Sequence, residues 1–532
     1  MLCPLLVICQ NADRWKTLLN VHYGSPSTRE RRMVTCHWLS VLSVRPTAAL
    51  GRENRPECSR GRYRWGLLLA AVCCWLACSN RDLRAQPVPA FDASVVRVAT
   101  YDSGRPGPCV VVLAGGRADQ RFPLHALSQV GGWSLSRGRL VTMGIDVPAI
   151  PAGFADRVAA CQPDWILELR EDFYYPRAGL ATLGGSLIHS GQPAVKPIAE
   201  AILAALNADQ SDSHSHFQTR PGGPTLSSFA LHWAGQHDVR AALLVTSARQ
   251  NTTPTRDLRA AVRIRQQRLG VHALLRQLQM IDRAIQVDQF IDPRRAKPSA
   301  QEKLVVGIYD GPGSGRPMPF VTDLMNGLSE VEAHPIHPVE IQRGGLASFD
   351  VVLFPGGMAS HQFDALAVQG RRAVQEFVRG GGGYIGICAG AYLAARQPYT
   401  WGLNLLNAEI VDHDHWARGI GTVQIELTAA GQRVFEARSG RIDYHYGNGP
   451  IFSPAEQGDL PAYEVLAWYR SGIGVNGADP QVMVDTPAIL AGKYGRGRVL
   501  VSSGHSEWSA GIEAYLLRYV EWVGRRGANR PE

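Results

Sequence analysis

The chain of 532 residues is long enough for two or three domains, each with its own core. Its net charge of +9 would fit a polyanion partner if it were spread over the folded part, but residues 1–90 hold 13 Arg and Lys against 5 Asp and Glu, a balance of +8 that leaves +1 for residues 91–532. Nearly neutral domains argue against a nucleic-acid partner, and three cysteines beyond residue 90 (Cys109, Cys161 and Cys388) do not make a disulfide framework; Cys109 and Cys161 are read as buried free thiols or as a single bridge.

Residues 1–58 are assigned no fold and are expected to be an artefact of start-site choice. In 59–85, the basic start Arg60, Arg62 and Arg64 precedes the apolar run from Trp65 to Ala77, which is too short to span a bilayer comfortably. That is the build of a secretory signal peptide. Trp75-Leu76-Ala77-Cys78 resembles a bacterial lipobox with Cys78 as the lipidated residue, although tryptophan stands where leucine is usual. Cleavage after Ala77 or Ala85 is the competing reading. Either implies export, to the periplasm or to a membrane-anchored lipoprotein.

From 91 to 282, apolar runs alternate with helical patterns. Val110 to Leu113, Leu140 to Met143, Trp165 to Leu169 and Ala241 to Val245 read as strands, with Ile198 to Leu206 and Leu258 to Met280 among the helices. The alternation predicts an α/β domain with a mostly parallel sheet. Asp209 to Pro224 reads as a mobile loop whose His214 and His216 are solvated rather than metal ligands. Val111 to Gln120 (VVLAGGRADQ), Asp164 to Arg177 (DWILELREDFYYPR) and Arg263 to Asp282 resemble motifs of zinc carboxypeptidases of the succinylglutamate desuccinylase and aspartoacylase type. At the positions where that family carries zinc ligands, this chain has Arg117, Gln120 and Arg170, and no glutamate stands near Thr246, where the family's general base is expected. A guanidinium cannot ligate a metal. The resemblance therefore implies a metal-less pseudoenzyme domain, in which Arg117 and Arg170 either form an anion pocket or pair with acids such as Glu168 and Glu171.

Residues 283–302 read as a linker. From 303 to 525 the βα rhythm resumes: strand Leu304 to Tyr309, helix Phe320 to Leu328, strand Asp350 to Phe354, helix Leu366 to Val378 and strand Tyr384 to Ile387. Ligands of such open sheets bind beyond the carboxyl ends of the strands, which Asp310, Gly356, Cys388 and His505 each follow. Gly386-Ile387-Cys388-Ala389-Gly390 has the G-x-C-x-G spacing of a nucleophile elbow, and Cys388 opens a helix, where thiolate is favoured. A cysteine nucleophile needs a base and the base an orienting acceptor; Gly504-His505-Ser506-Glu507 supplies both in His505 and Glu507. Asp412-His413-Asp414-His415 reads as a polar surface loop rather than a metal cluster, and Tyr444, His445 and Tyr446 as pocket lining or packing. The last helix, Ile512 to Val523, carries a core face.

GICAG followed by H-x-E at a strand end resembles the class I glutamine amidotransferase superfamily. Val306 to Ser314, Val351 to His361, Gly380 to Ala394 and Tyr446 to Phe452 resemble the N-terminal amidotransferase-like domain of eukaryotic biotin-protein ligases. One departure is Ser506, where the superfamily usually has proline. The resemblance implies a flavodoxin-like fold, a Cys388–His505–Glu507 triad, an oxyanion hole from the backbone amides near Gly357 and Ala389, and a pocket drawing on Asp310, Gly356 and Tyr446. The expectation is thus an α/β chain of two domains, each a mostly parallel sheet flanked by helices. It would act without cofactor or metal on a small-molecule or peptide amide, a carboxamide or γ-glutamyl amide. The rival reading is a non-catalytic surface binding protein made of two pseudoenzyme domains.

Overall fold

The computed structural model describes residues 95–524 apart from 119, 175–181, 211–212, 223–225, 251–256, 291–302, 316, 397–400, 439, 456–458 and 513. The stretch 59–85, read as a signal segment, and the stretch 1–58 lie outside the described residues. Ala85–Glu532 forms one compact unit built on two large sheets. Among the described residues no helix is long and apolar enough to cross a membrane.

The first sheet has seven strands: β1 (Val96–Asp102), β2 (Cys109–Gly115), β3 (Arg139–Ile145), β4 (Trp165–Asp172), β5 (Ser186–His189), β6 (Gln218–Pro221) and β7 (Arg240–Ser247), in the order β1-β3-β2-β4-β7-β5-β6. The central strands β3, β2, β4 and β7 are parallel, while β1 and β5 join them antiparallel. Val110, Val111, Val112, Leu243, Leu244 and Val245 are fully buried, because helices cover both faces of the sheet and leave no strand position in water. Those helices are α1 (Arg121–Val130), α2 (Phe154–Ala160), α3 (Lys196–Ala208), α4 (Phe229–His237) and α5 (Ala260–Gln277). One expectation is corrected: the segment read as a loop from Asp209 contributes the edge strand β6, paired parallel with β5. Of the two readings of Cys109 and Cys161, free thiols are realised; Cys109 is buried, Cys161 half-buried, and Cys109 Sγ donates to the Cys161 carbonyl at 3.3 Å.

The second sheet runs β14-β13-β16-β17-β18-β11-β10-β8-β9. Its parallel half is β8 (Leu304–Tyr309), β9 (Val331–Ile336), β10 (Val351–Phe354), β11 (Gly383–Ile387) and β18 (Gly497–Ser502). The other half continues antiparallel from β18 through β17 (Pro487–Tyr494) and β16 (Glu464–Tyr469) to β13 (Ile420–Leu427) and β14 (Arg441–Gly447), with β12 (Ala408–Val411) and β15 (Ile451–Pro454) as a separate ribbon. The helices are α6 (Pro317–Asn326), α7 (Pro338–Gln342), α8 (Ala359–Arg379, broken at Ala367), α9 (Ala389–Ala394), α10 (Ala429–Phe435) and α11 (Tyr515–Gly524).

Helix α5 joins the sheets, and its arginines are buried in doing so. Arg268, 1% exposed, lies over the Phe290 ring at 3.9 Å and pairs with Glu340 of α7 and Gln129 of α1. Arg265 pairs with Asp209 at 2.7 Å and with Asp288. The residues 283–290, read as the start of a linker, are part of this packing: Ile285 and Phe290 are 2% and 4% exposed. They are not a free tether, because the joint consumes their apolar side chains.

Candidate active site

Three chain segments meet where the parallel half of the second sheet turns antiparallel. Strand β11 lies between β10 and β18, so the turns that follow these three strands carry Gly356, Cys388 and His505 to one edge. Cys388 sits at φ 50°, ψ −99°, a conformation rarely held by a residue with a Cβ, and its N–H donates to the Ser502 carbonyl at 2.9 Å. The flanking glycines make that turn sterically feasible. A Cβ on Gly386 would meet the Gly390 carbonyl oxygen at 2.4 Å, and one on Gly390 would meet the Phe354 carbonyl oxygen at 2.1 Å. The helix that follows, α9, has six residues.

His505 is 4% exposed and Glu507 1% exposed; His505 Nδ1 and Glu507 Oε1 are 2.7 Å apart. With Nδ1 occupied, Nε2 is the nitrogen left to face the thiol. Cys388 Sγ lies 3.4 Å from the Gly447 carbonyl oxygen, and a Cβ on that same Gly447 would stand 3.4 Å from Nε2. Gly356 closes the other side, where a Cβ would meet His505 Cε1 at 2.7 Å and Cys388 Cβ at 3.6 Å. The imidazole is further held by Trp508, stacked at 4.7 Å and 17°, while the backbone N–H of His505 donates to the His445 carbonyl at 2.8 Å.

Burial works to lower the His505 pKa, but the Glu507 carboxylate and the Cys388 sulfur outweigh it, and the imidazole is pushed up to about 10. At neutral pH it is therefore an imidazolium between a carboxylate and the sulfur. Glu507 Oε2 is buried with no hydrogen-bond partner among the described residues, so the carboxylate's one hydrogen bond goes to His505.

The other expected site residues divide. The N–H groups of Gly357 and Ala389 have no acceptor among the described residues and are free to bind an oxyanion. Tyr446 is fully buried and donates to the Gly449 carbonyl at 2.6 Å; burial raises its pKa, and Tyr392, Arg418 and Cys388 lie within electrostatic reach of its phenol. Asp310 does not belong to the pocket. Both its oxygens are taken by the start of α5, where Arg259 Nη1 donates at 3.2 Å and the Ala261 N–H at 2.9 Å, so it serves the joint between the sheets. Ser506, in place of the superfamily's proline, is buried with its hydroxyl 2.6 Å from the Tyr519 hydroxyl of α11. Tyr444 packs against Ser502 and accepts the Gly504 N–H at 3.1 Å. Trp508 escaped the sequence reading, and Gly447 entered it only as part of the Tyr446 to Phe452 motif. An aromatic three residues after the histidine, at the spacing of a helical turn, was the available signal for Trp508.

In the first sheet, Arg117, Gln120 and Arg170 also share an edge. Arg170 donates to Glu168 at 3.0 Å and to the Ser227 carbonyl at 2.5 Å, and Arg117 reaches Ser227 Oγ at 3.4 Å. Gln120 exchanges two hydrogen bonds with the Glu171 backbone, and Glu171 pairs with Arg263 at 2.6 Å. Of the two alternatives for Arg170, pairing with Glu168 is realised. Among the described residues no group of three His, Cys, Asp or Glu side chains is arranged to hold a metal.

Residues 344–412 match the family model for the N-terminal part of biotin-protein ligase. That segment holds Gly356, Gly357, Cys388 and Ala389 and ends before His505. No curated protein matches the chain. Solved structures that resemble it include a glutamine amidotransferase (19% identity, 41% of this chain and 99% of that one, TM-score 0.29). A putative ThuA-like protein from Bacteroides uniformis aligns at 15% identity over 43% of this chain and 94% of that one, TM-score 0.31. A variant of the cell shape determinant protein Csd4 from Helicobacter pylori aligns at 14% identity over 36% of this chain, TM-score 0.29, and the chain spans 57% of its length.

Proposed function

We propose that the chain is a cysteine-dependent amide hydrolase in which Cys388 is acylated and then released by water. The observation that carries this is the imidazole of His505, fixed through Nδ1 by a buried carboxylate and facing through Nε2 a cysteine on a strained turn. Because the His505 proton is held to about pH 10, His505 is an imidazolium at neutral pH and acts first as an acid. The thiolate sulfur attacks the amide carbon while the carbonyl oxygen takes the N–H groups of Gly357 and Ala389. The imidazolium then protonates the nitrogen, which leaves as the amine. Water adds to the thioester carbon, the neutral imidazole takes its proton, and collapse expels the thiolate and frees the carboxylic acid. The substrate would be a carboxamide or γ-glutamyl amide.

In the same reading the first sheet is a carboxypeptidase-like scaffold that has lost its metal ligands, and the chain is exported. The first test is hydrolysis of glutamine and γ-glutamyl anilides. Cys388→Ala and His505→Ala should each lower kcat by at least about a thousandfold, with the double variant little worse than either alone, because the two act as a unit. Hydrolysis that survives Cys388→Ala would place the chemistry elsewhere. Absence of hydrolysis, together with a thiol no more reactive to iodoacetamide than Cys109 and Cys161, would favour a binding protein.

A further inference from the structure

Of the two N–H groups proposed to take the oxyanion, that of Gly357 is aimed by contacts that begin on the first-sheet side of the joint. Gly357 sits at φ 141°, in the region that favours glycine, and has no side chain to fix the peptide planes on either side of it. Two hydrogen bonds fix them instead. The Gly315 N–H donates to the Gly356 carbonyl at 2.9 Å, and the Met358 N–H donates to the Gly313 carbonyl at 2.8 Å. The Gly356 carbonyl and the Gly357 N–H belong to one planar peptide and point in opposite directions, so the first bond turns that N–H away from Ser314, the bridge partner of Gly357. A Cβ on Gly357 would stand 2.1 Å from the Gly313 carbonyl oxygen, so the two backbones are in direct contact.

The 310–315 loop that makes this clamp is itself held from across the joint. Arg259, at the N-terminal boundary of α5, donates from Nη1 to Ser314 Oγ at 2.6 Å, to the Ser314 carbonyl at 3.4 Å and to Asp310 Oδ1 at 3.2 Å. Ser314 is buried, and its hydroxyl donates in turn to the Gly311 carbonyl at 2.8 Å. The other Asp310 oxygen takes the Ala261 N–H at 2.9 Å, one of the first-turn donors that a helix leaves without an internal partner. Helix α5 is a fixed support, because Ala260, Ile264 and Leu274 are buried in the core of the first sheet. On the second-sheet side the Tyr309 hydroxyl donates to the Pro312 carbonyl at 2.7 Å, and Gln362 Nε2 reaches the Gly313 carbonyl at 3.3 Å. Those bonds keep the outline of the loop, and Arg259 sets where it sits.

From this series of contacts we infer that Arg259 is a positioning residue for acyl transfer: reaching from the start of α5, it holds the 310–315 loop against Gly357 and keeps that N–H aimed at the reacting carbonyl oxygen. The inference rests on the amide-hydrolase reading for the use to which the N–H is put. It gives the first-sheet part of the chain a share in catalysis without placing any of its side chains on the substrate.

The test pairs kinetics with amide exchange in the full chain. A misaimed oxyanion donor weakens the transition state more than the bound substrate, so Arg259→Met should lower kcat about tenfold or more with KM changed less than about threefold, and Arg259→Lys should recover part of the loss. The Met358 amide, followed by hydrogen exchange in chain labelled with 15N-methionine and assigned through Met358→Leu, should exchange about tenfold faster in Arg259→Met. Arg121→Met is the control: it removes an exposed pair with Asp323, at 3.0 Å, that also crosses the joint but has no hydrogen bond to the loop among the described residues, and it should move neither readout. Thermal unfolding checks that each variant is folded, and should Arg259→Met fail that check, Ser314→Ala, which removes the hydroxyl that Arg259 holds, takes its place. Unchanged exchange at Met358, an unchanged kcat, a loss confined to KM, or an equal loss in Arg121→Met would overturn the inference. Failure of the parent chain to hydrolyse any amide would instead strike the acyl-transfer reading, while the exchange readout, which needs no turnover, still decides whether Arg259 holds the loop.

Discussion

Exchanging Glu507 for Gln keeps the shape of the side chain and removes the charge that holds the His505 proton. Of the influences on that imidazole, burial is the largest and acts to lower its pKa; the Glu507 charge leads those acting against it. Without the carboxylate, the value should fall from about 10 toward the ordinary 6.5, with Cys388 left as the influence that still raises it. At pH 8 the imidazolium fraction would then drop from nearly all to about 3%, a loss of about thirtyfold in any step that needs it as an acid. The assay is the initial rate of amide hydrolysis from pH 5.5 to 10.5, with 15N NMR of the histidine rings, assigned through His505→Gln, to follow the proton directly. The parent should stay active to about pH 10, whereas Glu507→Gln should lose activity above about pH 6.5. An unchanged profile, or a ring that still titrates near 10, would show that Glu507 does not hold the proton and would refute the charge argument.

Stability should follow the same linkage. A group whose pKa is raised on folding contributes fully below its unfolded value, so His505 should stabilise the fold up to about pH 6.5 and lose that contribution as pH rises through about 10, as read by urea unfolding of the parent against His505→Gln. Gly390→Ala would set a Cβ 2.1 Å from the Phe354 carbonyl oxygen, so the unfolding midpoint should fall by the equivalent of about 2 kcal/mol or more, with loss of the elbow. Arg268→Met should cost up to about 3–5 kcal/mol by leaving buried Glu340 with Arg265 at 3.8 Å as its remaining ion-pair partner, and Arg268→Met with Glu340→Leu should recover much of it, since replacing both members of a buried pair is often neutral. Elemental analysis of the purified chain should find no stoichiometric zinc; one tightly held zinc lost on changing Arg117, Gln120 or Arg170 would overturn the comparison with metallopeptidases.

The parallel strands were legible from sequence because a strand covered on both faces must be apolar throughout, as Leu304 to Tyr309 and Val351 to Phe354 are. Cys388 was legible for a steric reason: a turn that sharp admits only glycine on either side of the nucleophile, so the spacing itself is the record of the geometry. His505 and Glu507 followed from the chemistry that a thiol nucleophile requires. None of these readings depended on distant contacts. The roles of Asp310 and Arg268 did. Asp310 follows a strand as a pocket residue should, yet the start of α5 claims it. Arg265 and Arg268 look like the solvated face of a helix, and are buried because a second sheet packs against it. The sequence by itself determined the elements and the sharp turn at Cys388, since local sterics and burial act over a few residues. Which charges meet across the chain was decided by tertiary structure alone, because a charge carries no mark of the partner that folding will set against it.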